Sequence, residues 1–179
     1  MRNRTKNRFL TAVKYMLLAG YLSGVFYLTF LNREQEPVRQ AWTELFGSYR
    51  RAWEEEHEFI LWGLIDNIIM MIPLGILLPW VCSGIRLGLV ILISLGISLL
   101  IECTQYVTRL GYFDVDDLFN NLWGALIGYG IFVFFREYGN LGKQKNMAVS
   151  FFKMFAALLP AVAFEAILGI WGWRFGMLG

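Results

Sequence analysis

Apolar residues along the chain gather into five long blocks separated by short polar breaks. The blocks run Phe9 to Leu31, Phe59 to Cys82, Leu87 to Val107, Leu118 to Phe135 and Phe151 to Trp171. Each is close to the roughly 20 residues that a helix needs to cross bilayer hydrocarbon. The pattern therefore predicts an all-α polytopic helix bundle of five spans, one membrane domain over residues 1–179. Composition agrees, because 57% hydrophobic and 17% charged residues depart from the roughly 45–50% and 25% of soluble domains. Disordered, collagen-like and disulfide-framework chains are excluded on the same ground. The first block follows a basic leader, Arg2, Arg4, Lys6 and Arg8. It exceeds the roughly 7–15-residue core of a signal peptide and no small-residue cleavage site follows, so it is read as a retained helix.

A formal net charge of +2 is too balanced to indicate a nucleic-acid partner. Its distribution sets orientation, since cytoplasmic loops retain Lys and Arg. A cytoplasmic N-terminus places Arg2, Arg4, Lys6, Arg8, Lys14, Arg86, Arg136, Lys143, Lys145 and Lys153 at the inner side. Arg33, Arg39, Arg50, Arg51, Arg109 and Arg174 are left outside, ten against six. Five spans then put the C-terminus outside. In the outer segment, residues 32–58, Trp42, Leu45, Phe46, Tyr49 and Trp53 fall on one helical face opposite Glu44, Arg50, Arg51 and Glu54. This predicts an amphipathic helix lying on the outer leaflet, or alternatively packed on the loops of the bundle. Gly20-x3-Gly24 and Gly124-x3-Gly128 are expected to bring helices together within the bundle. Pro73 and Pro160 should kink or locally open spans two and five. Cys82 and Cys103 fall toward opposite membrane faces and cannot pair.

Acids inside spans carry the chemical signal, because Asp near a span centre costs about 2.5–3.5 kcal/mol on insertion scales. Counted inward from the outer boundaries at about 1.5 Å per residue, Asp66, Glu102 and Glu165 all lie about 8–10 Å deep. Span three adds a polar stripe, Ser94, Ser98, Glu102 and Tyr106 at i+4 steps, with Gln105 and Arg109 on the same side. Such a stripe faces the bundle interior or a polar cleft. Arg109 is positioned to pair with Glu102, Asp114 or Asp117. The turn before span four supplies Asp114 as an N-cap and Asp116 and Asp117 in a first helical turn, where the helix dipole favours acids. Asp116 with Asn120, and Asp117 with Asn121, extend that surface one turn inward. Capping alone accounts for these acids; an organic-ligand or proton site, or a hydrated Mg²⁺ held by Asp114, Asp116 and Asp117, are the alternatives. His57, in an acidic run, lacks the i+4 partner of a zinc helix, and no phosphate-binding loop or nucleophile elbow is present.

The set Asp66-Asn67-x5-Pro73-Leu74-Gly75, Ile101-Glu102-x2-Gln105-x3-Arg109 and Phe113-Asp114-Val115-Asp116-Asp117-x2-Asn120-x3-Gly124-x3-Gly128 resembles the VanZ-like family of small bacterial membrane proteins. The resemblance covers residues 66–128. It implies a bacterial cell-membrane protein and an association with reduced susceptibility to teicoplanin. The residues it carries over are Asn67, Pro73, Gly75, Glu102, Gln105, Arg109, Asp114, Asp117, Asn120, Gly124 and Gly128. The function expected from depth, charge and resemblance together is engagement, at an outer-leaflet polar cleft, of a membrane lipid, a lipid-linked peptidoglycan precursor or a lipoglycopeptide. Asp66, Asn67, Glu102, Gln105, Arg109, Asp114, Asp116, Asp117, Asn120 and Asn121 are the binding candidates, with Arg109 meeting phosphate or carboxylate. The alternatives are an intramembrane enzyme acting on a lipid phosphate, with Glu102 and Asp117 as catalytic candidates and Mg²⁺ as cofactor, and a proton or cation carrier using Asp66, Glu102 and Glu165.

Overall fold

A computed structural model describes residues 2–54 and 58–140. Helix α1 (Arg2–Phe26) runs into one π-helical turn, Tyr27–Leu31. A two-residue strand β1 (Ala41–Trp42) and the short helix α2 (Gly47–Glu54) follow, then α3 (Glu58–Val81), α4 (Leu87–Thr108), strand β2 (Phe113–Asp114) and α5 (Val115–Asn140). Four helices are long and apolar enough to cross a membrane, over Arg8–Leu31, Ile60–Val81, Leu87–Thr108 and Val115–Glu137. They match the first four expected spans within three residues, the largest difference being the earlier start of α5. The chain is an all-α membrane helix bundle with a minor two-stranded ribbon. The fifth expected span, with Pro160 and Glu165, lies outside the described residues, as does His57.

Helices α3 and α5 form the centre because glycine lets their backbones touch. A Cβ on Gly124 would collide with the Ile68 carbonyl, one on Gly128 with the Ile72 carbonyl, and one on Gly75 with the Ala125 carbonyl. The pair Gly124 and Gly128 therefore packs within the bundle, as the small-residue spacing predicts. Gly20 and Gly24 behave differently: nothing among the described residues approaches within 4 Å of a Cβ there, so their expected packing role is not realised among those residues. Helix α1 instead meets α3 through Tyr21, whose hydroxyl donates to the Met70 carbonyl at 2.9 Å. Val25, Met71, Leu74, Leu78, Val90 and Ile101 make the buried core from α1, α3 and α4. The opening expected at Pro73 does not occur, since α3 remains helical through Pro73 and Pro79. The Gly75 contact on one side and the Tyr21 bond beside the carbonyl that Pro73 cannot use brace that turn.

Most side-chain polar connections among the described residues gather at one end of the bundle, where α1 and α4 finish and α3 and α5 begin. There β1 and β2 pair in parallel, Ala41 opposite Phe113 and Trp42 opposite Asp114. The amphipathic helix expected over residues 42–53 is shorter than its aromatic spacing suggests. Trp42 belongs to β1, Phe46 has a left-handed φ of 66°, and helix begins only at Gly47. Its buried residues are Gly47, Ser48 and Ala52, while Trp53 is 83% exposed. The helix packs on the bundle because its first N–H groups find a carboxylate there.

Candidate functional site

The polar end is organised by carboxylates acting as caps. Asp114 Oδ1 accepts the Asp116 N–H at 2.9 Å, an N-cap that starts α5 three residues before its apolar run. Asp116 is fully buried and caps a different helix. Its two oxygens accept the N–H groups of Phe46 (2.6 Å) and Ser48 (2.8 Å), the unsatisfied donors at the start of α2. Ser48 completes the exchange by donating its hydroxyl to Asp114 Oδ2 at 2.5 Å. Arg51 donates to Ser48 Oγ at 2.7 Å, lies 3.8 Å from Asp114 and stacks 3.5 Å above the Trp42 ring. Tyr49 donates to Asn120 Oδ1 at 2.5 Å. Helix α2 is therefore latched to the start of α5 by side chains from both partners.

Glu102 and Asp117 lie on the other side of that latch. Glu102, 2% exposed, accepts the Asp114 N–H at 3.0 Å through Oε2. Asp117 accepts a hydrogen bond from the Asn67 side chain of α3. Glu102 experiences the charges of Asp117 and Asp114, Asp117 those of Asp114 and Asp116, and Arg33 is a cation that acts on both Glu102 and Asp117. Arg33 follows the π-helical end of α1 and lies over Gly111, where a Cβ would meet its Nη1 at 3.0 Å and the Gln105 amide at 3.4 Å. Gln105 itself donates to the Thr29 carbonyl at 3.2 Å and so ties the end of α1 to α4. Deeper in, Asn121 donates to Ser98 Oγ at 2.8 Å across α4 and α5.

The residues expected to form the site thus divide. Asn67, Glu102, Gln105, Asp114, Asp116, Asp117, Asn120 and Asn121 are brought together by α3, α4 and α5. Asp66 is exposed on α3 and its neighbour Asn67 makes the contact. Arg109 is not the cation beside Glu102. It is an exposed left-handed residue (φ 62°) that closes α4, its carbonyl accepting the Glu36 N–H at 2.7 Å. That geometry points its role to the chain turn, and Arg33 takes the electrostatic place expected of it. Asp114 and Asp116 share Ser48 as a partner while Asp117 takes Asn67, and no group of three His, Cys, Asp or Glu able to hold a metal occurs among the described residues. Sequence reasoning passed over Arg33, Ser48, Tyr49 and Arg51, because each finds its partner more than 60 residues away or in a loop without periodicity. The one local signal was Ser48, a good capping residue just before a run of helix formers.

A family model described as VanZ/LLP1 matches residues 18–136. That match is wider than the motif-bearing stretch 66–128 and takes in the end of α1, the segment between α1 and α3 with Arg33 and α2, and nearly all of α5. No curated protein and no solved structure matches the chain. With helices, polar end and more than half of its length inside that match, the chain belongs to the VanZ/LLP1 family.

Proposed function

We propose that the polar end of the bundle is a binding site for the head group of an amphiphile of the bacterial cell envelope, a lipid-linked precursor or a glycopeptide antibiotic of the teicoplanin type. The observation that carries this reading is the electrostatic meeting of Glu102 and Asp117 from two different membrane-length helices, with Asn67 bonded to Asp117 and the charge of Arg33 acting on both. Carboxyl groups at that depth are costly unless they are used, and capping accounts for Asp114 and Asp116 but leaves Asp117 to the Asn67 amide and the charge of Arg33. The outer aromatics Trp53 (83% exposed) and Trp62 (60%) suit the headgroup level of a membrane, so an acyl chain in lipid and a head group at the acids can be held together.

The test is teicoplanin susceptibility of a sensitive Gram-positive host expressing wild type, Glu102→Gln or Asp117→Asn, with membrane abundance of each measured. Protection by wild type, lost in equally abundant variants, supports the reading. Wild type without protection removes the antibiotic from it. The two variants together separate binding from folding, because Glu102 also holds the Asp114 N–H whereas Asp117 is held by the Asn67 side chain.

A further inference from the structure

Below the Glu102–Asp117 layer, the seam between α4 and α5 continues inward and is lined by acceptors. Glu102, Ser98 and Ser94 occupy successive turns of one face of α4, with exposures of 2%, 0% and 0%. On α5, Asn121 lies one turn beyond Asp117 and is 1% exposed. Its Nδ2 donates to Ser98 Oγ, which fixes the amide inside the seam. Its Oδ1 has no hydrogen-bond partner among the described residues, and neither does the Ser94 hydroxyl. Four donors of the polar end are engaged elsewhere: the Asp114 N–H on Glu102, the Asn67 amide on Asp117, and the Phe46 and Ser48 N–H groups on Asp116. Asn120, on the neighbouring face of α5, accepts from Tyr49 of α2 through Oδ1, and its Nδ2 has no hydrogen-bond partner among the described residues. A buried amide oxygen left without a donor is destabilising, and a donor from outside would relieve it.

We propose that this seam receives a primary ammonium group of an amphiphilic ligand, held between the Glu102–Asp117 layer and the Asn121–Ser98 layer. The inference rests on the headgroup reading above for its route of entry from the polar end. Successive helical turns are about 6 Å apart, a gap that two N–H···O contacts of about 2.9 Å span with one nitrogen between them. An ammonium offers three donors and no acceptor, which complements a lining of carboxyl, amide and hydroxyl oxygens. A phosphate would set acceptors against acceptors, and a quaternary ammonium brings charge without donors.

Binding of dodecylammonium and dodecyltrimethylammonium to the full chain in phosphatidylcholine nanodiscs, with empty nanodiscs subtracting bilayer partition, tests this. The primary amine is expected to bind about tenfold tighter or more, the equivalent of one charge-assisted hydrogen bond. Asn121→Leu should abolish that preference, and Asn121→Asp, which keeps an acceptor and the shape, should retain or increase it. Equal affinity for the two amines overturns the proposal, as does a preference that survives in Asn121→Leu. Displacement of the amine by millimolar Na⁺ also overturns it and makes the seam an alkali-cation site. A protein that discriminates the amines yet gives no teicoplanin protection keeps the seam and loses the headgroup reading; one that protects without discriminating does the reverse.

Discussion

At the scale of single residues, Asp116 carries a structural duty that its neighbours cannot take over. Both its oxygens are engaged by backbone N–H groups of α2, so Asp116→Ala strands two donors in a buried place at about 1–3 kcal/mol. Release of α2 should then be about tenfold or more frequent, read as faster trypsin cleavage after Arg50 and Arg51 in the detergent-solubilised protein. Asp66→Ala, at an exposed carboxylate, should leave cleavage unchanged; equal rates in both variants would refute the capping role. Tyr112 offers a second residue-scale test. Its hydroxyl donates to Glu36 Oε2 at 2.6 Å, and that carboxylate raises the phenol above its ordinary value of about 10. The folded chain holds this proton where the unfolded chain has lost it, so the contact stabilises below the unfolded value and fades as pH rises through the folded one. Phenolate absorbance should show a late step in wild type that disappears in Tyr112→Phe and moves to lower pH in Glu36→Gln.

At the scale of elements, the two small-residue pairs make opposite predictions. Gly124→Leu and Gly128→Leu drive side chains into carbonyls of α3, a clash with backbone that exceeds the about 1–3 kcal/mol of ordinary overpacking. Both should fail to give a monodisperse protein on size-exclusion chromatography, while Gly20→Leu and Gly24→Leu should elute as wild type with a similar melting temperature. The helices themselves were legible in the sequence because a bilayer demands length and apolarity and little else. Helix α5 begins three residues before its apolar run because an Asp114 cap, visible as a residue type, outweighs hydropathy at that boundary. The segment between α1 and α3 was legible only in part. The spacing of Trp42, Leu45, Phe46, Tyr49 and Trp53 fits a helix, but pairing of Trp42 with Asp114 and capture of the Phe46 and Ser48 N–H groups by Asp116 fix a different backbone. Those are contacts across about 70 residues of chain, and no local period encodes them. The acids of the site were found by depth and turn position, whereas the cation was assigned to Arg109 by sequence proximity and belongs to Arg33 by folding.

At the scale of the whole molecule, the described helices alternate in direction, so residues 32–54 and the turn 109–114 share one end and residues 82–86 lie at the other. Lys14 marks that other end: its ammonium donates to the Trp80 carbonyl at 2.9 Å and sits 5.3 Å from the Trp80 ring, as a snorkelling lysine does at a membrane boundary. The basic leader and Arg86 should retain that boundary in the cytoplasm, which carries the Glu102–Asp117 layer to the outer leaflet. Cysteine labelling decides it. In a chain with Cys82→Ser and Cys103→Ser, Gln35→Cys places an exposed thiol at the polar end and Ser83→Cys places one at the other end. A membrane-impermeant maleimide should label Gln35→Cys in intact cells and Ser83→Cys only after permeabilisation. The opposite pattern would turn the acids toward the cytoplasm. An antibiotic that acts outside the cell could then no longer be the ligand, and the search would move to lipid-linked precursors on the side of the membrane where they are made.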